Sequence, residues 1–492
     1  MTGSAEQLVR RVWAELGRDA GELAALDALP AVPLPARLDV SGLAAGAVAA
    51  ASLAGGVLAA GGARGTAGGG PGTAGGRRGR AWIRLDGDRI ATAFTSERWL
   101  RVGGERPDVW APLSGFRRAA DGWVRTHANY PHHAAALRRA LGLAADAGAD
   151  RVDASIASRS AADVEASVTA AGGVCVAVRA ESPDDDARLR ETPLIELGGA
   201  ELDAAPVVGR VRRLRGDAGT AHPLEGVRVL DLTRVIAGPV GTRTLALLGA
   251  EVLRVDSPLL PEPEWQHLDT GAGKRSTLLD LRSAADRARF DELLDAANAV
   301  VLGYRPAALA RLGLDPELLV TRHPGLVVGQ LAAWGFSEAD ADRRGFDSIV
   351  QAASGIAVVE SDGERPGALP AQALDHATGY LLAAALVSML GAHAGRGRIA
   401  RLSLRRTAAE LLGMPRSGAA SPARALSDEI AARSLEELRV GSVPEAEPVS
   451  AAGADGPRTV RVPSPALAAA VASAHWPAGP RAWGRDAARW AE

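Results

Sequence analysis

A chain of 492 residues, 47% hydrophobic and 23% charged, is long enough for two or more domains with their own cores. A formal net charge of -2 argues against a nucleic-acid or acidic-membrane partner, and a single cysteine, Cys175, excludes an intrachain disulfide and a cysteine-based metal site. The opening MTGSAEQLVRRVWAELG lacks the basic head and continuous apolar core of a secretory leader, so a cytoplasmic location is expected. Positive charge is carried almost wholly by arginine; Lys274 is the only lysine, which marks it as a position where arginine would not serve.

In chain order, apolar spacing at Leu8, Val9, Val12, Trp13 and Leu16 predicts a helix over Ala5 to Leu16, and the proline-rich LPAVPLPARL after it must be extended. The run from Leu43, LAAGAVAAASLAGGVLAAGG, is long enough for a membrane span. It is mostly alanine and glycine, which contribute little to insertion, so a closely packed buried helix is expected. Residues 61–80 have no periodicity and read as a mobile glycine-rich loop. AWIRLDGDRIATAF then reads as two strands about an Asp-Gly turn. DGWVRTHANYPHHAAALRRALGL, Asp121 to Leu143, reads as strand, turn at Tyr130-Pro131, and helix. A helix capped by Ser160 and ended by Gly172-Gly173, followed by a strand, comes next. GRVRRLRGDAGTAHP is basic and unpatterned, a linker.

The most informative stretch is Val227 to Asp256, VRVLDLTRVIAGPVGTRTLALLGAEVLRVD. A short apolar strand, a small glycine-bearing turn from Arg234 to Gly241, a helix over Gly238 to Leu248 and a second strand form the seed of a parallel sheet with helices on its faces. Backbone N–H groups at the helix start suit an anionic ligand such as a phosphate.

Three motifs in order, the stretch just quoted, GKRSTLLDLR at Gly273 to Arg282 and VVLGYRPAALARLGLD at Val300 to Asp315, resemble the family III CoA-transferases, the CaiB/BaiF group. The resemblance implies an α/β fold with a parallel-sheet, nucleotide-binding-type (Rossmann-like) large domain and a smaller α/β domain. It implies acyl-CoA and carboxylic acid as substrates, no permanently bound cofactor, and a possible homodimer. Residues 121–180 resemble the family's small domain, which ordinarily follows the large one. LDVSGLAAGAVAAASLAG at Leu38 also looks like LDHATGYLLAAALVSMLG at Leu374. A tandem arrangement is therefore expected: a partial first copy over 1–205, a linker over 206–222, a large domain over 223–405, and a C-terminal segment, 406–492, packing its tryptophans on the large domain. Asp39 would then be a relic.

An attacking carboxylate must be ionised, reachable and backed by small residues. Asp375, with Ala377, Thr378 and Gly379 in the following helical turn, meets this pattern and matches the family's nucleophilic aspartate, although a helix cap is the plain alternative. The resemblance implies that Asp375 forms a mixed anhydride and then an aspartyl-CoA thioester. Backbone N–H groups near Ala237 and Gly238, with Val235 beside them, would hold the oxyanions. An ordinary aspartate is ionised at neutral pH and needs no activating base. The resemblance further assigns Arg305 and Lys274 to the CoA phosphates, with Arg275 adjacent, and leaves Arg243 and Arg254 as alternatives. In RRGFDSIVQAASGI, Phe346 stands where the family's racemase branch has a histidine, which disfavours two-base proton exchange, and Asp347 reads as a structural tether. His127, His132 and His133 are explained by a turn and helix start, His376 is at most a tuning residue beside Asp375, and no metal site is expected. The closing glycine loop of the family has only a poor counterpart in LLGMPRSGAAS. A noncatalytic CoA-binding chain is the main alternative. An NAD-dependent oxidoreductase is disfavoured by the lack of GxGxxG.

Overall fold

The structure, a computed structural model, describes residues 3–62, 81–199, 222–391, 399–416, 425–441 and 458–491. Most of the glycine-rich loop, the linker and the LLGMPRSGAAS tail lie outside the described residues.

A seven-stranded sheet forms the centre, in the order Glu196–Gly198, Ile399–Ser403, Val327–Ala332, Ala299–Leu302, Arg228–Leu232, Glu251–Asp256 and Lys274–Leu278. All neighbours run parallel except the short edge strand Glu196–Gly198, which pairs antiparallel with Ile399–Ser403. The strands are buried on both faces, as their Val/Leu runs require: Ala299, Val300, Val301 and Leu302 are all fully enclosed. The strand, turn, helix, strand unit read from Val227 to Asp256 is present as Arg228–Leu232, the helix Ala237–Leu247 and Glu251–Asp256. The fold is thus the mixed α/β, parallel-sheet architecture that the sequence predicts.

Two long apolar helices, Val40–Gly62 and Ala373–Gly391, pack along one another on one face of this sheet, and Ala237–Leu247 packs against the second. Each is long and apolar enough to cross a membrane; within this structure 78% and 89% of their most apolar stretches are buried. Alanine and glycine at their contact allow the close approach that the composition suggested. Gly379 is required there, because a Cβ would lie 2.4 Å from the carbonyl oxygen of Ala237. A single apolar cluster runs from Leu8 through Val48, Val240 and Leu386 to Trp476, so the N-terminal helices share their core with the sheet.

A small antiparallel sheet, Gly115–Arg118, Trp123–Thr126 and Cys175–Ala177, has its own core around Leu137, Val152 and Val164. The helix Ala161–Ala170 beside it is capped by Ser160, whose hydroxyl accepts from the Asp163 N–H. The third small sheet joins Arg101–Val102 to Thr459–Pro463 and Leu435–Arg439. C-terminal tryptophans tie the last described segment to the large sheet and to a helix beside it: Trp483 Nε1 donates to Asp256 on a strand, and Trp490 Nε1 to the Leu293 carbonyl of the helix Ala284–Asp295.

One predicted element is corrected. Residues 87–94 form a helix, Gly87–Phe94, in place of the second strand of a hairpin. Asp86, read as a turn residue, accepts from the N–H groups of Asp88 and Arg89 and is the helix cap.

Candidate active site

The site is built at the carboxyl ends of two adjacent parallel strands, Arg228–Leu232 and Ala299–Leu302, the position where open α/β sheets form their crevice. The loops leaving these strands adjoin: Gly303 N–H donates to the Leu232 carbonyl at 3.0 Å. In the first loop Val235 is held at φ 70°, a conformation that costs a β-branched residue of order 1–3 kcal/mol. The Val235 N–H donates to Glu262 Oε1 at 2.7 Å, which fixes the loop. Ala237 and Gly238 then open an eleven-residue helix, whose first-turn N–H groups have no intrahelical partners. Gly238 is needed because a Cβ there would lie 2.3 Å from Thr233 Cβ.

Beneath this loop lies a buried polar floor. The Lys274 ammonium donates to Asp231 Oδ2 at 3.0 Å, Thr242 Oγ1 at 3.0 Å and the Pro239 carbonyl at 3.2 Å. Three donors on one nitrogen match three acceptors around one point, which a planar guanidinium cannot do. Burial pushes the Lys274 pKa down to about 8, with Asp231 working against that. Burial likewise works to raise Asp231, but Lys274, Arg254 and the hydroxyls of Thr233 and Thr242 outweigh it and hold the acid below its ordinary range. A second buried network, Arg254 with Asp256 and Glu262, lies beside it.

Asp375 is the third residue of the Ala373–Gly391 helix and is 5% exposed. Its backbone N–H donates to Asp347 Oδ2 at 2.9 Å, and Asp347 also receives the Leu374 N–H and Gln351 Nε2. Gln351 Oε1 accepts from the Leu369 N–H, so one helix, Asp347–Ala353, pins the whole segment leading into Asp375. Asp347 is the tether expected from sequence. Burial raises its pKa to about 6 in spite of these hydrogen bonds. Asp375 is raised well above the ordinary carboxylate range, by burial first and by the neighbouring Asp347 charge second. The expectation of an ordinary, freely ionised aspartate is therefore corrected: ionisation of Asp375 is opposed by its surroundings.

The wall facing this helix comes from the N-terminal half. The His127 ring stacks on Phe346 with centroids 3.7 Å apart and planes 6° from parallel. Tyr130 lies 6.2 Å from the same ring, and the Arg234 guanidinium sits 4.8 Å over the Tyr130 ring. His133 faces Arg344, Arg234 and Arg305, and burial together with these cations pushes its pKa down to about 3. His127 is held at about 3 by burial, His133 and Arg125, so both imidazoles are neutral. The segment from His127 to His133, read from sequence as only a turn and helix start, thus joins the site. Nothing but its conjunction of aromatic and imidazole side chains signalled this.

The remaining predicted residues fall in different places. Arg305 is at the crevice mouth, where Nη1 donates to Asp342 at 2.9 Å; Arg311 and Arg344 face the same carboxylate, leaving cationic excess at the rim. Ala237 and Gly238 lie in the crevice. Val235 shapes the loop, but its N–H is occupied by Glu262. The Lys274 assignment to a CoA phosphate is corrected, since its ammonium is enclosed and all three protons are engaged below the loop. Arg275 is corrected as well: it sits at the amino end of its strand, bound to Glu251 and to the Arg489 carbonyl, and anchors the C-terminal segment. Arg254 is wholly buried with Asp256 and Glu262, and Arg243 is buried over the Trp476 ring at 4.6 Å, donating to the Asp269 carbonyl. His376 is fully buried and stacks on Phe94 at 5.1 Å. Asp39 accepts from the Gly42 N–H at the start of the Val40–Gly62 helix. Among the described residues no cluster of three or more potential metal ligands is found.

Residues 224–429 match the family model of CoA-transferase family III. A probable fatty acyl-CoA transferase, Rv3272, from Mycobacterium tuberculosis is 34% identical over 184 residues, covering 35% of this chain and 47% of the relative. A succinate–glutarate CoA-transferase from Agrobacterium fabrum is 32% identical over 162 residues, covering 29% of this chain and 40% of the relative. A crystal structure of Rv3272 aligns at 30% identity with a TM-score of 0.36, covering 39% of this chain and 56% of that one. The chain therefore spans about half the length, or less, of the curated relatives it matches. Over residues 224–429 the chain is thus similar to CoA-transferase family III.

Proposed function

We propose that this chain is an enzyme that transfers CoA from an acyl-CoA thioester to a carboxylic acid, with Asp375 as the nucleophile. The observation that carries the reading is the Asp347 tether on Asp375 within a segment that matches the family, on a helix whose Gly379 packs against the Ala237 carbonyl and next to the His127–Phe346 stack that the N-terminal half supplies beside the tether. In the first step an Asp375 carboxylate oxygen attacks the thioester carbonyl and the C–S bond breaks, giving a mixed anhydride and CoA thiolate. The thiolate attacks the Asp375 acyl carbon, releasing the donor acid and leaving an aspartyl-CoA thioester. The acceptor carboxylate attacks that thioester, and the expelled thiolate then takes the acceptor acyl group and restores Asp375. No net proton is consumed.

Each tetrahedral intermediate carries an oxyanion, and first-turn N–H groups at Ala237 and Gly238 are suited to stabilise it. Arg305, Arg311 and Arg344 at the rim suit the phosphates of CoA. The fixed loop and buried floor hold these donors in place without reorganisation. Walls from both halves of one chain are what a homodimer would otherwise have to supply from two, so we propose that one chain can complete a site. Incubation with a panel of acyl-CoA donors and free carboxylic acids should give new CoA thioesters, and Asp375→Asn should abolish them.

A second reading, a chain that binds CoA without turnover, is favoured by one observation: Asp375 is nearly enclosed and resists ionisation. Stoichiometric CoA binding with no exchange for any donor would select it.

A further inference from the structure

A cleft of about 340 Å³ opens between segment 33–35, the turn Ser96–Trp99 and Pro370, and it shares no lining residue with the crevice around loop 233–238. Three guanidinium groups line it, those of Arg98, Arg101 and Arg106, against the single carboxylate of Asp428; Glu97, beside Arg98, is not among the lining residues. Elsewhere arginines are paired with acids, as Arg18 is with Glu22, Arg305 with Asp342 and Arg458 with Glu264. None of the three cleft arginines has an ion pair among the described residues. Two are fixed by the backbone instead. Arg98 donates to the Pro370 carbonyl, and Arg101 Nη1 donates to the carbonyls of Leu100 at 2.8 Å and Arg98 at 3.1 Å. A guanidinium carries five N–H donors in a rigid fork, so both side chains are held in place with donors still uncommitted.

The remaining wall is mostly apolar, from Pro33, Leu34, Pro35 and Trp99. The indole is locked: Trp99 Nε1 donates to Thr95 Oγ1 at 2.9 Å, and that hydroxyl donates to the Ala91 carbonyl at 2.7 Å. With its N–H already satisfied, Trp99 offers the cleft a rigid apolar surface. Fixed cations in excess of acid call for an anion, and a bare inorganic anion would leave the indole and proline surfaces in water. We infer that this cleft binds a small organic carboxylate, with its carboxylate on Arg101 and Arg106 and a flat apolar body against Trp99 and the prolines. The volume lies at the lower end of the range of about 300–1,000 Å³ usual for small-molecule sites, which suits a single ring bearing a short acid. The site stands apart from the transfer reaction and does not depend on Asp375.

The test uses the full chain with phenylacetate, its uncharged analogue phenylacetamide, and inorganic phosphate. Arginines are modified with phenylglyoxal and the modified positions are read by peptide mass spectrometry, so that the cleft and the crevice report separately. Phenylacetate should protect Arg101 and Arg106, and phenylacetamide should not. Equal protection by acid and amide, or protection by neither, overturns the inference. Phosphate that protects both arginines as well as phenylacetate does also overturns it, by showing an adventitious ion only. In calorimetric titration Arg106→Gln and Arg101→Gln should each weaken phenylacetate binding about tenfold, the loss of one charge-assisted contact. Arg106 makes no hydrogen bond among the described residues, so its variant carries the test should Arg101→Gln fail to fold. Arg305→Gln and Asp375→Asn should bind phenylacetate as the unsubstituted chain does, whatever becomes of CoA transfer. Binding lost in Arg305→Gln and kept in Arg106→Gln would place the acid in the crevice and overturn the inference.

Discussion

The Asp347 carboxylate accepts the backbone N–H of Asp375 at 2.9 Å, so the residue that fixes Asp375 in space also opposes its ionisation. The two effects are separable by chemistry. Asp347→Asn keeps an oxygen to cap the helix and removes the charge. In that variant Asp375 should ionise at lower pH, and CoA transfer should reach its plateau at least one pH unit earlier, about 1.4 kcal/mol in the ionisation equilibrium. Asp347→Ala should instead lose about 1 kcal/mol of stability with the cap. Transfer rates from pH 5 to 9 and urea unfolding check both.

Lys274 illustrates how a sequence signal can be read correctly in kind and wrongly in place. Its being the only lysine pointed to a requirement that arginine does not meet, and the structure supplies that requirement as three acceptors around a buried ammonium. Lys274→Met should cost about 3–5 kcal/mol, because Asp231 is left buried and unpaired. Lys274→Arg should cost about 1–3 kcal/mol through overpacking. Guanidinium chloride unfolding measures each, and a Lys274→Met chain of unchanged stability would contradict the buried-floor description.

Other elements divide along physical lines. The Val227 to Asp256 unit was legible because its apolar runs and glycine turn are local signals, and the Ser160-capped helix for the same reason. The helix Gly87–Phe94 was not, because an Asp before a Gly serves both a hairpin and a helix cap, and Ile83 and Leu85 alternate as a strand would. His127 was illegible as a site residue for another reason: it stands more than two hundred residues before Asp375, and only the packing of the N-terminal half on the sheet brings it against Phe346.

His376 is fully buried with neither ring nitrogen hydrogen-bonded among the described residues. Burial, with Arg243 adding, pushes its pKa down to about 3 from an unfolded value of 6.5. The unfolded chain therefore binds the proton first, and this group's contribution to stability is lost as pH falls from 6.5 toward 3. His376→Leu, similar in volume, should stabilise the fold by about 1 kcal/mol at pH 7, and by more at pH 5. Thermal unfolding at the two pH values tests this; equal losses on acidification in both proteins would contradict it.

Arg234 packs over Tyr130 at the crevice, joining the two walls. At the rim of the same crevice, Arg305→Gln should weaken CoA binding by about tenfold, in keeping with loss of one charge-assisted contact of roughly 1.5 kcal/mol. Calorimetric titration with CoA checks it, and the affinity of the unsubstituted chain should decline with added salt.

The central claim is that Asp375 carries the acyl group and then CoA. The most direct measurement is intact and peptide mass spectrometry of the chain incubated with acyl-CoA and hydroxylamine. The account requires a hydroxamate on the peptide bearing Asp375, absent from Asp375→Asn. Transfer of CoA that proceeds with no modification of that peptide, or that persists in Asp375→Asn, would contradict it.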